Sequence, residues 1–247
     1  MSPGTVSRIL WHFPGGPYPD EGTNKQKATR KPFADAYLAL KGILQSRSLR
    51  LGDYTENHKS SFSPQPDGGN ESCRVDKTIA LERVCCVADI PIIHLPYHAR
   101  RYGRIAIGFH RQSVINNNFN PVLYQLNRSK AADDSFHAAN NLQMAIDLAI
   151  QQNHVDILEK LKQSKSRLMA LLSLTKSFDD SEFSTIYTER EWRSTKPFQF
   201  SFDDLAMIVV PKHFEGIDYL SQFIVFAAEI EIPRRIPIVS WEDLVEH

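Results

Sequence analysis

The chain has 247 residues, enough to bury a sizeable core in one large domain or in one domain with an inserted subdomain. Its 29 Lys and Arg residues balance 29 Asp and Glu residues, so no overall field recruits nucleic acid or an anionic membrane, and any such role needs a local patch. No apolar run approaches the roughly 20 residues that span a bilayer, and the N-terminus lacks a signal-peptide pattern. Cys73, Cys85 and Cys86, the last two adjacent in an apolar run, read as buried thiols of a reducing compartment rather than as a CxxC metal pair. A cytoplasmic protein without a metal site is expected.

In chain order, Ser7 to Phe13 is β-prone and ends in Trp11-His12-Phe13, and Pro14-Gly15-Gly16-Pro17 then forces a turn. Behind Pro32, the residues Phe33, Ala36, Tyr37, Leu40, Ile43 and Leu44 follow helical spacing. The stretch 54–76, rich in Ser, Pro, Gly and Asn, reads as a mobile loop. Val84 to Ala88 returns to an apolar strand closed by Asp89-Ile90-Pro91, and Ile105, Ile107 and Phe109 alternate with small residues as a further strand. Pro121 to Leu126 is another strand candidate. From about 133 to 176 the apolar residues take helical spacing, which marks a helical insert between sheet segments. Strand patterns resume at Phe198 to Phe202 and Met207 to Pro211, followed by a helix over Ile217 to Ala228 and a strand at Ile236 to Val239. Ser240, three residues before Asp243, reads as the N-cap of a last helical turn. Strands grouped around helices without regular βαβ alternation predict a single α+β domain over 1–247.

The densest chemistry lies at Tyr187-Thr188-Glu189-Arg190-Glu191-Trp192-Arg193. On an extended backbone Glu189 and Glu191 share a face, and two like charges there are either bridged by Arg or held apart to act on a ligand. Thr188 with Glu191 also matches a helix capping box, in which both side chains only satisfy backbone groups. Phosphate-binding loops, dinucleotide fingerprints, nucleophile elbows and H-E-x-x-H motifs do not occur in the sequence. His94 and His98 are four apart, but Pro96 between them disfavours the helix that would pair them as metal ligands.

Several ordered segments resemble the abortive phage-resistance AbiGi family. They are Ile9 to Phe13, Val84 to Pro91, His98 to Phe109, Asn120 to Tyr124, Glu189 to Arg193, and the closing Ile236 to Leu244. The resemblance implies the antitoxin-side partner of a bacterial two-component defence system, with a cognate toxin or other defence protein as partner. A wider similarity is to ADP-ribosyltransferases, which implies a split β-sheet core with flanking helices. On that likeness His12 would bind the ribose of NAD and Tyr102 would stack on nicotinamide. Glu191 would hold the 2′-hydroxyl beside the developing cation and Glu189 would orient the acceptor, a protein or a nucleic acid, with Arg101 and Arg193 as further cofactor-binding candidates. A fixed carboxylate beside an oxocarbenium-like centre stabilises charge that exists only in the transition state.

Two classes of function therefore stand. One is a regulator that restrains a toxin without chemistry of its own. The other is an NAD-dependent ADP-ribosyltransferase or NAD-cleaving effector. An exposed apolar stripe at Leu161, Leu168, Leu171 and Leu172 would favour the first, and a pocket holding His12, Tyr102 and Glu191 the second. The bland alternatives are a satisfied His12, a core Trp192 and a structural bridge from Arg101 to Glu191.

Overall fold

A seven-stranded mixed sheet organises the first of two units in the computed structural model, which describes residues 7–20, 25–52, 57–62, 75–127, 129–178 and 190–245. Unit 1 comprises Met1–Tyr54, Cys85–Pro121 and Glu189–His247, and unit 2 comprises Thr55–Val84 and Val122–Thr188. The chain therefore leaves unit 1 and returns to it twice.

The strands of the large sheet are β1 (Ile9–His12), β2 (Cys85–Ala88), β3 (Ala106–His110), β4 (Asn120–Pro121), β5 (Glu191–Ser194), β6 (Leu205–Val210) and β7 (Ile238–Ser240). Their spatial order is β7-β6-β3-β1-β2-β5-β4. Neighbours are antiparallel except β6 and β7, which run parallel. Successive side chains of a strand point to opposite faces, and the apolar residues divide accordingly. Leu10, Val87, Ile107, Phe109, Ile208 and Val210 form one core with the helices α1 (Phe33–Ser46) and Tyr219–Glu229. Trp11, Ala88, Ala106 and Val209 form the other with α2 (Leu95–Tyr102) and the final helix Trp241–Val245. Both faces are covered, so the central strands read as nearly continuous apolar runs. Trp11 is fully buried, and its indole N–H is satisfied by donation to the Ile90 carbonyl at 3.0 Å.

Unit 2 holds a helical hairpin, α3 (Lys130–Gln151) and α4 (Val155–Ser173), between two short parallel strands, Leu123–Leu126 and Thr175–Phe178. The Ser129 hydroxyl caps α3 by accepting from the Ala132 N–H at 3.2 Å. An antiparallel hairpin, Asn57–Phe62 with Val75–Ala80, completes the unit. Asn57–Phe62 lies inside the stretch read from composition as a loop. Its polar sequence hides the strand, whose partner supplies the β-branched residues Val75, Thr78 and Ile79.

Several expectations hold in the structure: the α+β class, the helix behind Pro32, the helical insert and the Ser240 cap, whose hydroxyl accepts from Asp243 N–H at 2.9 Å. Others shift. The strand read over 121–126 is two strands, Asn120–Pro121 in unit 1 and Leu123–Leu126 in unit 2. Pro96 does not prevent a helix, because it falls in the first turn of α2, where a missing N–H costs nothing. Among the described residues no helix is long and apolar enough to cross a membrane.

Candidate functional site

Strand β5 puts Glu191 and Arg193 on one face of the sheet and Trp192 on the other, and Arg190 directly precedes it. Glu191 is extended and opens the strand, opposite Ala88 of β2, so it is a sheet residue and not the third position of a helix cap. Thr188 and Glu189 lie outside the described residues. Arg193 is buried to 1% exposure, and its guanidinium donates from Nε and a terminal nitrogen to the two Glu191 carboxylate oxygens, at 3.0 and 3.1 Å. Such a two-point pair is the geometry in which a guanidinium binds a carboxylate most strongly. Cys86 stands opposite Arg193 on β2. Burial, and next the nearby Glu191 charge, push its thiol well above the usual range, and burial pushes the neighbouring Cys85 thiol up to about 12. Neither thiol is poised as a nucleophile, which requires a thiolate.

On the other face, Asp89 follows β2 and collects two arginines. Arg111 lies 2.7 Å from one carboxylate oxygen and Arg190 3.0 Å from the other. The Asp89 N–H also donates to the Arg190 carbonyl at 3.0 Å. Arg111 stands over the Trp192 ring, 5.3 Å from its centroid, and donates from Nε to the Ser7 carbonyl. Arg190 takes a left-handed φ of 43°, a conformation of the kind held only where surrounding contacts fix it.

The remaining candidates occupy different places. Strand alternation puts His12 on the face of Leu10, opposite to that of Trp11, whereas Glu191 shares the face of Ala88. One nitrogen of His12 lies 3.1 Å from the Cys86 carbonyl. Burial lowers its pKa to about 4, opposed by that hydrogen bond and reinforced by Lys31. Tyr102 stacks on His98 with ring centroids 4.3 Å apart and leans on Phe13 at 6.2 Å. Arg101 lies over the Tyr102 ring at 5.5 Å. Glu191 and Arg193 are thus brought together, Arg101 and Tyr102 are brought together, and His12 faces the other side of the sheet from Glu191.

Sequence reasoning missed Asp89 and Cys86 as members of these clusters. Asp89 was visible as the only acidic residue in an apolar segment that ends in Pro91, a position where a buried charge needs a partner. In unit 2, Leu161 and Leu168 are half-buried, Leu172 is buried and Leu171 is exposed, so they do not form one stripe. Among the exposed aliphatic side chains of unit 2, Leu148, Ile150, Val155 and Ile157 lie about the tip of the hairpin.

These features define a mixed α+β protein whose buried charges are paired within its own sheet. Among the described residues, no group of three or more His, Cys, Asp or Glu side chains could hold a metal. The profile of the family described as "Putative abortive phage resistance protein AbiGi, antitoxin" matches residues 69–219, more than half of the chain, and the chain belongs to this AbiGi family. The match takes in Cys86, Asp89, Glu191 and Arg193, while His12 lies before it. No curated protein and no solved structure matches the chain. The AbiGi resemblance is borne out, and the ADP-ribosyltransferase likeness has no counterpart among these comparisons.

Proposed function

We propose that this chain is the antitoxin of an abortive-infection pair and restrains a cognate toxin in the cytosol by binding it, without chemistry of its own. The family match over residues 69–219 carries the reading. Two features of the site support it. A carboxylate that stabilises a developing cation must face the substrate with its charge available, and both oxygens of Glu191 are instead engaged by buried Arg193. The exposed aliphatic side chains at the tip of the α3–α4 hairpin are of the kind that protein contacts cover.

The test is co-expression with the cognate toxin in a bacterial host, following growth, together with co-purification of the two chains. Rescue of growth with a stable complex is the expected result. Nicotinamide release from NAD by the purified chain, lost in Glu191→Gln while the fold is retained, would overturn the binding reading in favour of the NAD-dependent transferase.

A further inference from the structure

The helix α5 (Tyr219–Glu229) carries no charged residue before its last position. Its inner face is accounted for, since Phe223, Phe226 and Ala227 are buried in the core that holds Ile208 and Val210. One flank is closed by α1, where Tyr37 meets Tyr219 edge to face at 4.9 Å and the Lys41 ammonium lies 4.6 Å from the Phe226 ring centroid. The outer face consists of Ser221, Ile224, Val225 and Ala228, at i, i+3, i+4 and i+7, which form one stripe along a helix. All four are exposed, Ile224 to 52% and Val225 to 61%.

A surface helix ordinarily turns charged residues outward. In this chain α4 does so, with Asp156, Glu159, Lys160 and Lys162 at exposed positions. Scattered exposed aliphatic side chains are common on any surface. A helix that is apolar inside and uncharged outside has instead the pattern of one covered on both sides. The one polar side chain of the stripe is already satisfied: the Ser221 hydroxyl donates to a carboxylate oxygen of the capping Asp218 at 2.7 Å, and the Ser221 N–H donates to the other oxygen at 2.9 Å. Covering Ser221 therefore strands no donor.

The order of the four residues points to what covers them. They read small, β-branched, β-branched, small, and the stripe is symmetrical about the point midway between Ile224 and Val225. A second α5 laid antiparallel on a twofold axis through that point sets Ser221 against the partner's Ala228 and Ile224 against the partner's Val225. Small residues at both ends let the helices approach, and stiff β-branched side chains fill the centre. An isologous contact between identical chains needs this self-complementarity, and a contact with a different protein does not. Ile217, 42% exposed in the strand pair that leads into α5, extends the apolar surface at one end.

We propose that the outer face of α5 is a homodimer interface, in which two copies of the chain pair antiparallel through Ser221, Ile224, Val225 and Ala228. This goes beyond the antitoxin reading and does not depend on it, because the family match ends at residue 219, where α5 begins. A helix of 11 residues is about 16 Å long. A pair of such helices covers on the order of 400 Å² on each chain, about half of a standard interface, so the dimer is a weak and reversible one with a dissociation constant of about 10–100 µM.

The experiment is sedimentation velocity of the full chain from about 2 to about 300 µM, where a dimer fraction that rises across the range is expected. Val225→Glu sets two carboxylates against each other near the axis and weakens association about 100-fold. Its melting midpoint stays that of the parent, because the side chain is exposed in the single chain. Leu148→Glu, the same kind of change at an exposed site of unit 2, leaves association as it was. Orientation is read by oxidising a mixture of Ser221→Cys and Ala228→Cys chains. Linked dimers form in the mixture and, above the background of the parent, from neither variant alone. A chain that stays monomeric to about 300 µM overturns the proposal. So does a dissociation constant unchanged by Val225→Glu, or weakened equally by Leu148→Glu. Linking of either cysteine variant alone as efficiently as in the mixture overturns the antiparallel pairing. Loss of toxin co-purification in Val225→Glu, with the parent monomeric throughout, assigns the face to the toxin and overturns the proposal as well.

Discussion

Replacing Glu191 with Gln keeps the shape of the side chain and removes its charge. The Arg193 guanidinium, 1% exposed, would then keep at most one of its two contacts to this side chain, now 3.0 and 3.1 Å long, and would lose the carboxylate charge beside it. Breaking a buried ion pair from one side costs about 3–5 kcal/mol, because the remaining charge loses that partner without gaining hydration. For a unit of this size each kcal/mol lowers the melting temperature by roughly 2–4 °C, so Glu191→Gln should melt about 6–20 °C below the parent. Arg193→Met should fall in the same range, since it takes the guanidinium away from the buried carboxylate. The double variant should recover much of the loss, because removing both charges also removes their desolvation cost. Thermal melting and urea midpoints of the four proteins form a double-mutant cycle with a coupling of about 2–3 kcal/mol. The reasoning fails if Glu191→Gln melts within about 2 °C of the parent, less than 1 kcal/mol, because the carboxylate would then be doing something other than holding Arg193 in the sheet.

Asp89→Asn should cost less than Glu191→Gln, about 1–3 kcal/mol by urea denaturation, because its partners Arg111 and Arg190 are 21% and 37% exposed and can rehydrate. His12 gives a pH dependence with a defined sign. Its folded pKa of about 4 lies below the ordinary histidine value of 6.5, so the unfolded chain binds the extra proton first, and stability falls as pH drops from about 6.5 towards 4. His12→Gln should flatten that part of the stability profile, and an unchanged slope would show that other groups set it. Gly15→Ala places a Cβ 2.5 Å from the Tyr102 carbonyl oxygen, which is backbone and cannot swing away. Melting should report a loss of about 1–3 kcal/mol. Ser129→Ala removes the cap of α3 and should cost about 1 kcal/mol, read as a lower helical melting midpoint.

Much of the fold was legible because its core obeys simple periods. Leu40 and Leu44 recur on one face of a helix, Ile107 and Phe109 alternate in a strand, and Ser240 announces the turn it caps. Asn57–Phe62 was not legible, because its strand character comes from pairing with Val75–Ala80 rather than from its own residues. The candidate site was legible as residue types but not as partners. Trp192 and Arg193 are adjacent in sequence, yet the pleat gives one to Arg111 and the other to Glu191. Which carboxylate an arginine meets depends on strand register, and register between β2 and β5 is set by residues about a hundred positions apart. Glu191 shows the local case: Arg193, two residues along the same strand, binds both of its oxygens.

The same register governs the arginines of the sheet as a group. Arg193, Arg111 and Arg190 each reach a carboxylate fixed by the sheet, so their charges are spent locally and contribute little to any field at the surface. The density of charge at Arg190 to Arg193 is therefore a poor guide to where a charged partner binds, because these arginines already meet carboxylates inside unit 1.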